Sequence, residues 1–247
     1  MPSKRSVKDG LRRVRRRLNQ LRGRDVPYRI QTQVPRLHLG TEYGGWTVQP
    51  ELLSRDSIVY SVGVGEDISF DLALIERYQC DVHAFDPTPK SIAWLGAQQL
   101  PPQFRFQPIG LADYDGAARF VLPRPDFVSF HIGSDQQGQV VECPVRRLTT
   151  MMRETGHDRL DVLKMDIEGA EYPVIDDLLR SGLSPTQLLI EFHHVIGDEP
   201  SLAKTRRAIE SLNAAGYRIF DISPVGLEYA FIRASSDTEL PESNHGR

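Results

Sequence analysis

Hydrophobic and polar positions along this chain repeat with two periods, and the switches between them mark its elements. In residues 1–25, Val7, Leu11, Val14, Leu18 and Leu21 recur at spacings of four and three. That puts one apolar stripe on a helix whose other faces are mostly arginine. From residue 58 onward, short apolar or β-branched runs alternate with stretches of helical period. The pattern predicts strands over 58–64, 82–85, 104–108, 162–165, 188–190, 217–222 and 229–233. It predicts helices over about 69–78, 90–98, 148–155, 170–180 and 200–215. Residues 114–145 break the alternation, with strand-like runs at 118–122 and 140–145 and a turn at Asp115-Gly116. The last two strands are joined by Ser223-Pro224-Val225-Gly226 with no helix between them.

Strands that alternate with helices imply an α/β fold, a doubly wound and mostly parallel seven-stranded sheet with helices on both faces. The helix-free final connection requires one antiparallel strand near the C-terminus. The chain divides into a basic amphipathic arm (1–25), a connecting region (26–56), the α/β domain (57–234) and a polar tail (235–247). In the connecting region, Tyr43-Gly44-Gly45-Trp46 reads either as a turn closed by a buried Trp or as a flap over the first strand's mouth.

Charge changes this picture at one place. Residues 1–25 hold ten Lys/Arg against Asp9 and Asp25, a balance of +8, while the rest of the chain stands at −11. A body that acidic lacks the basic face that phosphate contacts need, so no nucleic-acid partner is expected for it. For the arm three readings stay open. Its stripe packs on its own domain or a partner subunit, or it lies in the plane of an anionic membrane surface, or it binds nucleic acid or stays disordered. No run has the length of a membrane span and the first residues lack the apolar core of a secretory signal. Cys80 and Cys143 form neither a disulfide framework nor a metal-ligand spacing, so a cytoplasmic setting is expected.

Candidate chemistry falls at the carboxyl ends of the strands, where open α/β sheets bind ligands. Gly63, Gly65, Asp86, Asp113, Asp166 and Glu191 all sit there. Gly63 and Gly65 end an apolar run and lead into a helix, a geometry that lets bare backbone approach a nucleoside. Asp86 follows Gly63 by 23 residues, close to the spacing of a carboxylate that accepts ribose hydroxyls. A dinucleotide site would place a third glycine where this chain has Ile68, and Asp67 would face a pyrophosphate unfavourably. S-adenosylmethionine carries a sulfonium cation and no phosphate, so an acidic pocket suits it better than NAD.

Tyr60-Ser-Val-Gly-Val-Gly65, His83-Ala-Phe-Asp-Pro-Thr-Pro89, Gly110-Leu-Ala-Asp113 and Asp161-Val-Leu-Lys-Met-Asp-Ile-Glu-Gly-Ala-Glu171 occur in that order. Together they resemble the successive motifs of FkbM-type methyltransferases, over roughly residues 55–195. The resemblance implies the class I methyltransferase fold, S-adenosylmethionine as cofactor and a hydroxyl acceptor on a glycan or small metabolite. It implies that Gly63 and Gly65 line the methionine and ribose side, that Asp86 binds the ribose hydroxyls, and that Asp113 reaches the adenine amino group with Leu111 and Ala112 beside it; Pro87 is a further cofactor-site candidate. The family motif begins with an acid that helps hold the cofactor's ammonium, where this chain has Ser61. Glu66, Asp67 and Asp166 are the acids nearby that can take that part.

A hydroxyl acceptor must lose a proton, so a general base is expected near the transfer point. Asp166, Glu168, Glu191, His193 and His194 are the candidates, with His193 favoured for its titration range and Asp166 and Glu168 beside it. Glu168 and Glu171 also read as charges capping a helix N-terminus. Asp166, Glu168, Glu191 and His193 form a set able to hold a divalent cation, though no metal is assigned. Two competing functions remain, a nicotinamide-dependent oxidoreductase and a non-catalytic relative that keeps the cofactor site.

Overall fold

The computed structural model describes residues 4–122, 131–132, 139–195 and 197–233. The tail expected at 235–247 and the middle of the 114–145 stretch lie outside them. The chain opens with helix α1 (Lys4–Leu21) and a hairpin of β1 (Leu37–Leu39) and β2 (Trp46–Val48). Then come β3 (Ile58–Val62), α2 (Ser69–Tyr78), β4 (Asp81–Phe85), α3 (Pro89–Gly96) and β5 (Phe104–Gln107). Four strands follow: β6 (Gly110–Leu111), β7 (Gly116–Leu122), β8 (His131–Ile132) and β9 (Gln139–Arg146). The remainder runs α4 (Leu148–Thr155), β10 (Val162–Met165), α5 (Glu171–Ser181), β11 (Gln187–Glu191) and α6 (Glu199–Ala214). It closes on β12 (Tyr217–Ile222) and β13 (Glu228–Arg233).

Seven strands make the main sheet in the order β12-β13-β11-β10-β3-β4-β5. The five from β11 to β5 are parallel, because each returns through a crossover. Helix α6 carries the chain past the place beside β11, and β13 comes back through a short turn to fill it antiparallel to both neighbours. Alternate residues feed two separate cores. On β3, Tyr60 and Val62 pack with Met151, Val174, Ile175 and Ile209 under α4, α5 and α6. Val59 packs the other way, with Leu74, Ile75, Leu95 and the hairpin's Trp46 under α2 and α3.

Two sequence expectations change. Residues 110–146 are not a mere interruption, since β6, β9, β7 and β8 form their own four-stranded sheet. Within it Gly110–Leu111 pairs with Val145–Arg146 of β9, which turns the chain away from the main sheet after β5. The arm is helical as expected, yet its apolar stripe does not pack on the body. Leu11, Val14, Leu18 and Leu21 stand exposed.

Candidate active site

Parallel pairing brings the carboxyl ends of β3, β4, β10 and β11 to one edge, where they border a cavity of about 1000 Å³. The β3–α2 loop, the turn after β4, the turn of the first hairpin and the residues that follow β10 and β11 enclose it. Gly63, Gly65, Asp67, Asp86, Pro87, Leu111, Asp166, Glu168 and His193 all reach its wall. Ser61, Ala112 and Asp113 do not. Ser61 is fully buried beneath the loop on the α2 side of the sheet. Ala112 and Asp113 leave with β6, and Ala112 packs against Phe120 and Val145 in the second sheet.

The loop after β3 is held from below. Gly63 (φ 73°) donates its N–H to the Phe85 carbonyl at 2.8 Å, and a Cβ placed on it would lie 1.7 Å from the Asp166 carbonyl oxygen. Only glycine fits there. Gly65 donates to Asp86 Oδ2 at 3.0 Å, while Asp86 Oδ1 accepts the Thr88 N–H at 2.9 Å and the Thr88 hydroxyl at 2.6 Å. A carboxylate offers about four acceptor positions. Asp86 therefore organises the loop first and has room for one further donor. A two-hydroxyl grip would need Gly65 or Thr88 to let go.

Asp67 has a second job. Its carboxylate accepts the Ser69 N–H at 2.9 Å at the start of α2 and the Thr41 hydroxyl at 2.6 Å, and Thr41 in turn accepts the Gly44 N–H. Burial raises its pKa, but those hydrogen bonds outweigh it and the net direction is downward. Both readings of residues 43–46 thus describe one object: Trp46 is buried in the core, and Tyr43 to Gly45 form a flap tied down at Asp67. Asp67→Ala is expected to lower stability by about 1–2 kcal/mol, the usual net size of the hydrogen bonds it removes. It should also speed hydrogen exchange at the Gly44 amide, whose partner Thr41 is released.

The opposite wall is acidic and centres on His193. Its Nε2 lies 3.3 Å from Glu168 Oε2, 3.7 Å from Asp166 Oδ1 and 4.0 Å from Glu191 Oε1. Its Nδ1 is 3.5 Å from Glu171 Oε1. Glu171, at the first turn of α5, is completely buried and accepts the backbone N–H of His193 at 2.7 Å and of Gly169 at 2.8 Å. It fixes the backbone at His193 and sets a negative charge beside the imidazole Nδ1, as well as being a charge at a helix start. Glu168 holds a left-handed backbone (φ 52°), rare for a residue with a side chain, and so stores strain at the site. His194, one residue on, points the other way and is buried 3.4 Å from Asp25 Oδ1.

Burial disfavours the His193 imidazolium, but Glu171, Glu168 and Glu191 more than reverse this and hold its pKa well above the ordinary histidine range. Glu191 is pushed up too, by burial first and then by Asp166 and Glu228. Asp166, Glu191 and His193 each offer a ligand atom within 4.8 Å of the others, the spacing a divalent cation would need. Lys164 is the residue that sequence reasoning passed over. It is buried in β10 with its Nζ 5.5 Å from the Trp46 ring centre, donating to the carbonyls of Gly63 at 2.6 Å and Val62 at 3.3 Å. A lysine inside the apolar run Val162–Met165 was the available signal, since a buried charge needs a dedicated set of partners.

Residues 58–219 match the family model described as the methyltransferase FkbM domain. Among curated proteins, the probable methyltransferase-like protein 24 of Homo sapiens is 26% identical over 180 residues, covering 69% of this chain and 43% of that protein. Its Rattus norvegicus counterpart is 26% identical over 179 residues, covering 69% and 44%. The chain thus spans less than half the length of these relatives. Among solved structures, the Methanococcus jannaschii fibrillarin pre-rRNA processing protein aligns with a TM-score of 0.42 at 13% identity, over 73% of this chain and 67% of that one. Aeropyrum pernix fibrillarin, in complex with natively bound S-adenosyl-L-methionine, aligns at 0.41 and 12% identity, over 83% and 84%.

Proposed function

The chain belongs to the FkbM methyltransferase family, whose members use S-adenosylmethionine, and from that premise we propose that it methylates a hydroxyl group on a glycan or small metabolite. One observation carries the choice of acceptor. The imidazole of His193, with buried Glu171 behind its Nδ1, faces the cavity among Asp166, Glu168 and Glu191. An amine entering so acidic a wall would be held as its ammonium, which has no lone pair to attack with. A hydroxyl is neutral on arrival, and the carboxylates are acceptors for its neighbours on a polyhydroxylated molecule.

The residues present fit the cofactor. Open space faces Gly65, the loop backbone is exposed to the cavity, and the wall is rich in carboxylates that favour a cation. When bound, S-adenosylmethionine supplies an electrophilic methyl on a sulfonium sulfur. Asp86 holds the glycine loop and keeps one acceptor position for a ribose hydroxyl. Asp166 and Glu168 flank the imidazole, and His193 takes the acceptor's proton at Nε2 once it has lost its own. The volume of about 1000 Å³ lies at the top of the range for single small-ligand sites and leaves room for an acceptor beside the cofactor. The nicotinamide alternative loses support at Ile68, which is packed in the α2-side core where a dinucleotide loop needs glycine.

Incubation with methyl-labelled S-adenosylmethionine and a panel of sugars and polyols, read by mass spectrometry, tests the proposal. A labelled methyl ether is the expected product. Label appearing only on amines would overturn the hydroxyl reading. Titration of S-adenosylhomocysteine into Asp86→Asn tests the cofactor side. Loss of a charged acceptor is worth about 1.5–3 kcal/mol, so affinity should fall about 10- to 150-fold. Unchanged affinity would mean that the ribose sits elsewhere.

A further inference from the structure

Helix α1 is docked with Lys8, Arg12, Arg16 and Gln20 inward and its leucines outward. Arg16 Nη2 donates to the Tyr229 hydroxyl at 2.8 Å, its guanidinium lies 5.7 Å from that ring's centre, and its Nε is 3.6 Å from buried Asp25. Gln20 donates to the Val26 carbonyl at 2.8 Å, and Lys8 and Arg12 meet Glu42 at 3.4 and 3.6 Å. These contacts use one side of the helix. At 100° per residue the apolar stripe falls on the opposite side. There Leu11 is 68%, Val14 60%, Leu18 46% and Leu21 80% exposed. Arg13, Arg15, Arg17 and Arg22 are exposed around it, and among the described residues none of the four forms an ion pair.

We propose that this outward face of α1 is a docking surface for an anionic phospholipid membrane, with the stripe lying in the interface and the flanking arginines on lipid phosphates. The chemistry selects that occupant. A second copy laid stripe to stripe would gather two sets of unpaired arginines on one seam. A nucleic acid would satisfy the arginines and leave the leucines in water. Only a surface with anionic headgroups above an apolar layer answers both features. The charge split also sets the orientation, since the arm carries +8 and the remainder −11, so the acidic body is repelled and the arm approaches. No helix among the described residues is long and apolar enough to cross a membrane. Lys8 and Arg12, on the inward side of the same helix, border the cavity, so the proposed docking face is separate from the cavity wall.

The test is flotation of the full chain with vesicles of phosphatidylcholine alone and of equal parts phosphatidylcholine and phosphatidylglycerol. Deleting the arm is unsuitable, because it strips Arg16 from buried Asp25. The expected result is co-flotation with the anionic vesicles only, weakened by salt. Leu11→Asp with Leu18→Asp should cut binding at least about tenfold, and Leu11→Ala with Leu18→Ala, which keeps helix propensity, should fall between. Arg15→Gln with Arg17→Gln should weaken binding and flatten its salt dependence. All three double variants should bind S-adenosylhomocysteine like the parent, since these side chains lie away from the cavity. Failure to float would overturn the proposal. So would equal binding by the Leu→Asp variant, which would reduce the effect to charge alone. A solution dimer that the same variant splits into monomers would instead make the stripe a subunit interface.

Discussion

Gly63→Ala should unfold well below the parent and fail to bind S-adenosylhomocysteine. The added Cβ would stand 1.7 Å from the Asp166 carbonyl oxygen and 2.8 Å from its carbon, both backbone atoms that cannot swing aside. Relief requires the ends of β3 and β10 to separate. That separation pulls on three bonds at once: Gly63 N–H to Phe85, Asp166 N–H to Val62 at 3.1 Å, and Lys164 to the Gly63 carbonyl. A strained left-handed alanine costs on the order of 1 kcal/mol and overpacking about 1–3 more. For a domain of this size the sum corresponds to a melting-point loss of roughly 5–15 °C. Gly65→Ala is the control. Its backbone is also left-handed (φ 57°), but open space faces it, so only the conformational part should appear. Equal melting points for the two variants would show that the close approach of Gly63 to Asp166 does not matter to the fold.

His193→Ala should lower turnover by about 10²–10⁴, the range of a lost general base, while leaving cofactor affinity nearly intact. The pH profile makes the claim more specific. Because Glu171, Glu168 and Glu191 overcome burial and hold the imidazole's proton, His193 must be deprotonated before it can act. The acid limb of kcat/KM should therefore lie above neutral pH rather than at the usual histidine range, rising about tenfold per pH unit below it. Glu171→Gln should move that limb to lower pH, a shift that a purely structural role for His193 would not produce. Stability carries the same sign. A histidine whose folded pKa is raised contributes stability fully present below its unfolded value and lost as pH rises through the folded one. Glu191, also raised, holds protons that the unfolded chain has released, so the folded state is again disfavoured as pH increases. The parent should lose more melting temperature than His193→Ala between neutral and alkaline pH. Matching profiles would remove His193 from the proton path.

The elements with short-range signals were legible. Helices α2 and α4 and strands β10 and β12 lie where the hydrophobic period puts them, because alternation of burial is a property of neighbouring residues. The parallel sheet was legible for the same reason, and it gathers Gly63, Asp86, Asp166 and Glu191 on one edge without further information. The 110–146 region was less so. Strands of two residues such as β6 and β8 carry no period of their own and exist only because β9 and β7 are there to pair with them.

By itself, then, the sequence determined the alternating strands and helices of the main sheet, the edge on which the cavity opens, and the family, because local periodicity and contiguous motifs record burial and backbone shape. Tertiary structure decided everything that depends on two distant segments meeting. It turned His193 into the cavity and His194 toward Asp25, and it carried Asp113 away with β6. It set the Gly63 backbone against Asp166, across a hundred residues of chain. It also turned α1 over, since the pull of Tyr229, Asp25 and Glu42 on its arginines is written nowhere in the helix's own pattern. The same amphipathic period allows either face inward, and only the charges waiting on the body choose between them.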